Sequence, residues 1–165
     1  MILDKIHPVL EQIAAFQQQA PVDVVRIAEE QCDINVWEDE VEPGISGKLF
    51  LDSENGGKSG YSIVVNCFDT PTRKRFTIAH EIAHFKLHRQ QLAYLGGSVT
   101  DDTFYRSRMS NAQEAEANRF AADILMPYHL IQELVERGVV GVKSLAEALN
   151  VSEVAMSIRL GIPQP

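Results

Sequence analysis

The sequence is poor in cysteine, in basic residues and in long apolar segments, and each shortage excludes a class of protein. The two cysteines, Cys32 and Cys67, stand far apart and form no CxxC pattern, which argues against a disulfide framework and favours a reducing compartment. No apolar run approaches the roughly 20 residues of a bilayer span, and the N-terminus lacks the basic start and apolar core of a signal peptide. We therefore expect a cytoplasmic protein without a membrane segment.

Basic residues are outnumbered by acidic ones, 15 against 23, which gives a formal net charge of −8. This balance argues against a surface built for nucleic acid, because neutralising phosphates requires positive faces. The charge is uneven, with an acidic run between residues 29 and 42 and a basic bracket around residues 76–88, formed by Arg73, Lys74, Arg75, Lys86 and Arg89. Two solvated faces are the simpler interpretation, and a groove that faces a partner is the alternative.

The order of patterns along the 165 residues predicts a single α+β domain, residues 1–165. Helical spacing in "ILDKIHPVLEQIAAF" and "VDVVRIAEEQ" gives way to "INVW", "GKLFL" and "YSIVVN", which indicate a small, largely antiparallel sheet with an Asn-Gly turn between its last two strands. A helix is then predicted from Pro71 to about His88, another over "NAQEAEANRFAADIL", and further helices beyond it, with residues 139–165 as a small helical extension.

Residues 80–84 read H-E-x-x-H within the helix predicted from Pro71. Side chains four residues apart share one helix face, so the imidazoles of His80 and His84 can reach a single Zn²⁺ at roughly 2.1 Å. Glu81 lies close enough to act on a metal-bound water without being a ligand, and it is the predicted general base for attack on a carbonyl. His88 continues the stripe but lies about 12 Å along the axis from His80, so we predict an orienting, capping or surface role outside the metal's ligand set.

A catalytic zinc takes three protein ligands and keeps one position open, so a third ligand is expected on another helix. The downstream segment "EAEAN" offers Glu114 and Glu116, which point about 200° apart around a helix. Glu114 shares its face with Ala117, Asn118 and Ala121, whose small size lets two helices approach closely. Asn118 could also accept a hydrogen bond from the second nitrogen of a ligand imidazole and so orient that ring. Glu114 is therefore the favoured ligand and Glu116 the alternative.

Several roles stay open at this level. Candidate donors to a developing oxyanion are Tyr94, Tyr105, Arg106 and Tyr128. Cys67 follows the "SIVVN" strand and could fill the open position of the zinc, although an inert thiol is commoner. The segment "SLAEALNVSEVAMSIRL" has the outline of a helix-turn-helix, but its last helix offers only Arg159 as a base or phosphate reader, so DNA binding is unlikely.

The pair of motifs "RKRFTIAHEIAHFKLH" and "EAEANRFAADILMP" resembles the ImmA/IrrE family of zinc metallo-endopeptidases, and "APVDVVRIAEEQCDINVWEDEVEPGISGKLFL" is similar to the family's N-terminal helix and sheet, so that the likeness covers about residues 20–160. It implies a gluzincin-like, zincin-type fold with zinc on His80, His84 and Glu114, and with Glu81 as base. It also implies an intracellular endopeptidase whose partner is a helix-turn-helix repressor, cut to derepress phage, mobile-element or stress-response genes. The alternative is a non-proteolytic regulatory module of the toxin/antitoxin type, in which zinc is structural.

Overall fold

The structure is a computed structural model that describes residues 7–90 and 109–163. Short N-terminal helices come first, a three-stranded sheet follows, and longer helices complete the chain, so the predicted α+β class is confirmed. The described α-helices are α1 (Pro8–Glu11), α2 (Val24–Arg26), α3 (Pro71–Leu87), α4 (Asn111–Leu125), α5 (Tyr128–Glu136), α6 (Val142–Leu149) and α7 (Glu153–Arg159), and a π-helix at Ile27–Gln31 continues α2. The strands are β1 (Asn35–Asp39), β2 (Gly47–Leu51) and β3 (Tyr61–Asn66). None of the described helices is long and apolar enough to cross a membrane.

The sheet is mixed, with strand order β1-β3-β2. β2 pairs with β3 antiparallel, as expected, whereas β1 pairs with β3 parallel. The three strands do alternate in direction along the chain, but β3 lies between the other two, so its pair with β1 is parallel. The β2–β3 connection is also longer than a tight Asn-Gly turn, since the strands end at Leu51 and resume at Tyr61.

The N-terminal segment departs from the continuous helix that its apolar spacing predicts. In the described part, α1 covers only four residues, and a single 3-10 turn follows at Ala14–Phe16. The chain then leaves the helical path and buries the side chain of Gln17, whose Nε2 donates to the backbone oxygens of Asp123 and Ile124 at 3.0 and 2.9 Å. These carbonyls belong to the last turn of α4, where no following helical turn supplies N–H donors. The Gln17 side chain supplies a donor instead, so the N-terminal segment caps the end of α4.

Helix α3 forms the centre of the molecule. Thr70 caps its first turn by accepting a hydrogen bond from the backbone of Arg73, and Pro71 occupies the first helical position. The helix is buried on most of its circumference because the sheet covers one side and α4 covers another. α3 packs against α4, and each helix carries two fully buried alanines: Ala79 and Ala83 on α3, and Ala117 and Ala121 on α4.

The basic residues at the start of α3 join it to neighbouring elements. Lys74 Nζ lies 2.8 Å from Glu38 Oε2 on β1, and Arg75 Nε donates to the backbone oxygen of Asn150 at 3.0 Å. Burial lowers the pKa of the Arg75 guanidinium, with the charge of Asp23 opposing the shift. These contacts support an intramolecular role for this part of the basic bracket rather than a surface that faces a partner.

Gly47, at the start of β2, is expected to be intolerant of a side chain. A Cβ at this position would lie 2.6 Å from Thr77 Cγ2 on α3 and 2.6 Å from the backbone oxygen of Val64. Gly47→Ala should therefore lower the free energy of unfolding by about 1–3 kcal/mol, measured by urea denaturation. The loss should be smaller in a Thr77→Ser background, where one of the two clashing groups is absent. Equal stability of the parent and Gly47→Ala would contradict this close approach of β2 to α3.

Candidate metal centre

His80 and His84 stand one helical turn apart on α3 and turn their rings towards a common point. Their Nε2 atoms lie 3.0 Å from each other, and the ring centroids are 4.6 Å apart. His84 is almost fully buried, at 2% exposed, while about a fifth of the His80 side chain reaches the cleft surface. Two imidazole nitrogens at this distance, facing one another, form half of a metal-binding donor set.

Glu114 on α4 supplies a carboxylate to the same point. Its Oε2 lies 3.1 Å from His80 Nε2, and its Oε1 lies 3.2 Å from His84 Nε2. One ligand atom from each of the three residues falls within 4.8 Å of the others. The structure thus brings together the three residues that the sequence suggests as metal ligands.

The spacing and chemistry of these donors fit a zinc ion. Zinc–nitrogen and zinc–oxygen bonds of about 2.0–2.1 Å in tetrahedral geometry place neighbouring ligand atoms about 3.3 Å apart. The observed donor separations of 3.0–3.2 Å are close to that value. Two imidazoles and one carboxylate are also the donor set of many catalytic zinc sites.

Glu81 and the two histidines line a cleft of about 1150 Å³. Glu81 is 5% exposed and comes from the same turn of α3 as His80. The far end of the cleft is formed by α7 and the start of α5, whose apolar side chains Tyr128, Val154 and Ile158 are 60%, 54% and 71% exposed. The cleft therefore joins the donor cluster to an exposed apolar wall.

Asn118 contacts His80 in the way that its position on α4 suggests. Its Oδ1 lies 2.9 Å from His80 Nδ1. An amide oxygen only accepts, so His80 Nδ1 carries the hydrogen and Nε2 presents its lone pair to Glu114 and His84.

His88 lies outside the donor cluster, as expected, but reasoning from the sequence missed its contact with Glu116. His88 caps the C-terminus of α3, its Nδ1 lies 2.9 Å from His84 Nδ1, and its Nε2 lies 3.0 Å from Glu116 Oε2. Glu116 is thus directed away from the donor cluster and towards His88. In the sequence, Glu116 was considered only as the alternative metal ligand, and no local pattern indicated that it would meet His88.

Other candidates lie at the edge of the cleft or outside the described residues. Tyr128 lines the cleft, and its hydroxyl donates to the backbone oxygen of Arg159 at 3.3 Å. Tyr94, Tyr105 and Arg106 fall outside the residues that the structure describes.

Neither cysteine is among the described residues that line the cleft. Burial raises the pKa of the Cys32 thiol to about 11, so this side chain is a neutral thiol at physiological pH.

An α+β fold in which two histidines and a glutamate from neighbouring helices converge in a cleft is the arrangement of a metallopeptidase. The family model of the IrrE N-terminal-like domain matches residues 29–161, and the chain belongs to that family. This family is a metalloprotease family, and the resemblance seen in the sequence is confirmed.

Two relatives illustrate the likeness. The radiation response metalloprotease IrrE of Deinococcus radiodurans is 38% identical over 103 residues, which are 59% of this chain and 29% of that protein. The solved structure of a transcriptional regulator from Mycobacterium tuberculosis shares the fold, with a TM-score of 0.59 and 17% identity, over 94% of this chain and 45% of that one. The chain thus spans less than half the length of the Deinococcus relative and of the Mycobacterium structure.

Replacing Glu114 should show whether Glu114 or Glu116 is the third metal ligand. Glu114→Ala removes the only one of these carboxylates that lies near both His80 and His84. We expect zinc affinity to fall by more than about 100-fold, beyond the 10–100-fold typical of residues that only orient a ligand. Competition with a chromogenic chelator measures the change, and Glu147→Ala, an exposed helical glutamate on α6, is the matched control. Unchanged zinc affinity in Glu114→Ala would rule the residue out as a ligand.

Proposed function

We propose that the chain is a zinc-dependent endopeptidase, with zinc held by His80, His84 and Glu114 and with Glu81 as general base. The observation that carries the proposal is the convergence of three donor groups within 4.8 Å beside a buried glutamate, in a cleft of about 1150 Å³. The family of the chain and the metalloprotease activity named for its Deinococcus relative support the same conclusion.

The bound zinc would supply Lewis acidity, lowering the pKa of a water molecule and polarising the scissile carbonyl. Glu81 would accept the proton that this water loses as its oxygen bonds to the carbonyl carbon, and would then pass the proton to the departing amine nitrogen as the C–N bond breaks. Asn118 would hold His80 in the tautomer whose Nε2 can bind the metal. The α7 wall of the cleft would contact apolar side chains of the substrate.

The alternative, a non-proteolytic module with structural zinc, agrees less well with these features. Structural zinc sites are closed by four protein ligands, whereas the described residues bring three donors together, and that cluster opens onto a cleft. A structural site also gives no role to a base such as Glu81. Among the described residues, the donor set therefore favours a catalytic site.

We propose further that the substrate is a helix-turn-helix repressor and that the protein acts in the cytoplasm. The resemblance carried by the two motifs supports this substrate class, and the radiation response in the name of the Deinococcus relative agrees with a role in a stress response.

Direct DNA binding is disfavoured by the contacts of Arg159. Its Nε donates to the backbone oxygen of Met126 at 2.9 Å, a terminal guanidinium nitrogen lies 2.8 Å from Asp123 Oδ1, and its side chain is 12% exposed. The cation that would contact a phosphate is thus held against α4.

Glu81→Gln tests the general base. The amide preserves the size of the side chain but cannot accept a proton, so cleavage should fall by at least about 100-fold while zinc binding is retained. The assay incubates the zinc-loaded protein with a candidate helix-turn-helix repressor and follows new fragments by mass spectrometry. Zinc content is measured in parallel by atomic absorption.

Two controls show whether a loss of cleavage is specific to Glu81 and depends on zinc. Glu147→Gln makes the same chemical change on the exposed face of α6 and should cleave like the parent. Chelator should abolish cleavage, and adding zinc back should restore it. Cleavage by Glu81→Gln at the parental rate would refute the assignment of Glu81 as general base. Stable binding of the repressor by the zinc-loaded parent protein, without any fragment, would favour the non-proteolytic module.

A further inference from the structure

The two histidines of the donor cluster differ in what orients them. His80 Nδ1 contacts the neutral amide oxygen of Asn118 at 2.9 Å. His84 Nδ1 instead contacts another imidazole, His88 Nδ1, also at 2.9 Å. The far nitrogen of that second ring, His88 Nε2, lies 3.0 Å from Glu116 Oε2. A row of three side chains therefore runs from the donor cluster to the protein surface: His84, His88 and the carboxylate of Glu116.

His88 lies one turn beyond His84 on the same face of α3. The helix ends at Leu87, and His88 is the C-cap, with φ −120° and ψ −2°. Its ring centroid lies 5.1 Å from that of His84, close to the 4.6 Å between His80 and His84, and both His84 and His88 are 2% exposed. Because both rings are buried, the direct contact gives each Nδ1 atom a hydrogen-bond partner within the protein.

The chemistry of the last group in the row determines the tautomers of the others. A carboxylate only accepts hydrogen bonds, so the neutral His88 ring carries its hydrogen on Nε2 and donates it to Glu116. His88 Nδ1 then presents a lone pair, and His84 must donate from its own Nδ1. His84 Nε2 is left without a hydrogen, facing Glu114 and His80, which is the form that binds a metal.

We propose that Glu116 and His88 are positioning residues that fix the tautomer and orientation of His84 for the metal. The inference rests on the proposed function, because it takes His84 to be a zinc ligand. It assigns the buried His88 and the partly exposed Glu116, 45% exposed at its side chain, to the support of the site rather than to packing or solubility.

Two substitutions at position 88 separate this role from simple packing. His88→Asn keeps an oxygen near the place of Nδ1 and can accept the hydrogen bond from His84. His88→Leu fills a similar volume but accepts nothing. We expect His88→Leu to weaken zinc binding by about 10–100-fold and His88→Asn to stay within about threefold of the parent, measured by chelator competition. A packing role would give the opposite order, because leucine fills the buried site at least as well as asparagine.

Glu116→Ala tests the far end of the row. It should weaken zinc binding by at least about threefold, whereas Glu147→Ala on α6 should leave it unchanged. Long-range ¹H–¹⁵N correlation spectra of the zinc-loaded parent protein provide a readout that does not depend on activity. They should show His88 in the Nε2–H form and His84 with its hydrogen on Nδ1.

The outcomes distinguish this inference from the proposed function. A parent protein that binds no zinc would refute the proposed function itself. Normal zinc binding with equal affinities for His88→Leu and His88→Asn, or with His88 in the Nδ1–H form, would overturn the positioning role and leave the ligand set intact.

Discussion

The metal centre depends on the close contact between α3 and α4. The distance between two packed helices follows from the side chains at their contact. Both helices carry fully buried alanines: Ala79, Ala83, Ala117 and Ala121. Two of them directly precede His80 and His84, and the other two follow Glu114 on its own helix face. The close packing of the two helices holds Glu114 at 3.1–3.2 Å from the histidines.

Much of this arrangement could be predicted from the sequence because it depends on local periodicity. The four-residue spacing of His80 and His84 sets their common face whatever surrounds the helix, and the small residues that follow Glu114 indicate which face of α4 meets α3. The strand segments were equally clear. Their spatial order was not, since nothing local in "INVW" or "YSIVVN" shows that β3 inserts beside β1 and makes that pair parallel.

The role expected for His88 outside the ligand set agrees with its position in the structure, but its partners could not be predicted. The sequence places His88 one turn beyond His84, and the two ring centroids lie 5.1 Å apart, close to the 4.6 Å between His80 and His84. Its position as the C-cap depends on where α3 stops, which sequence patterns locate only to within one or two residues. Its contact with Glu116 depends on how α4 packs against α3, and no pattern within either helix specifies that packing for a single side chain.

Burial makes the polar groups around the site interdependent. His84 and His88 are both 2% exposed, so each ring nitrogen needs a partner within the protein, and a change at one position leaves a polar atom unsatisfied at the next. The donor groups are also held by two packed helices rather than by loops, which limits the reorganisation that metal binding requires. The same contacts that stabilise the core thus hold three ligand groups 3.0–3.2 Å apart, a separation favourable only with a cation or a shared proton between them. Holding these groups together therefore lowers the free energy of unfolding of the metal-free protein, and metal binding offsets this loss of stability.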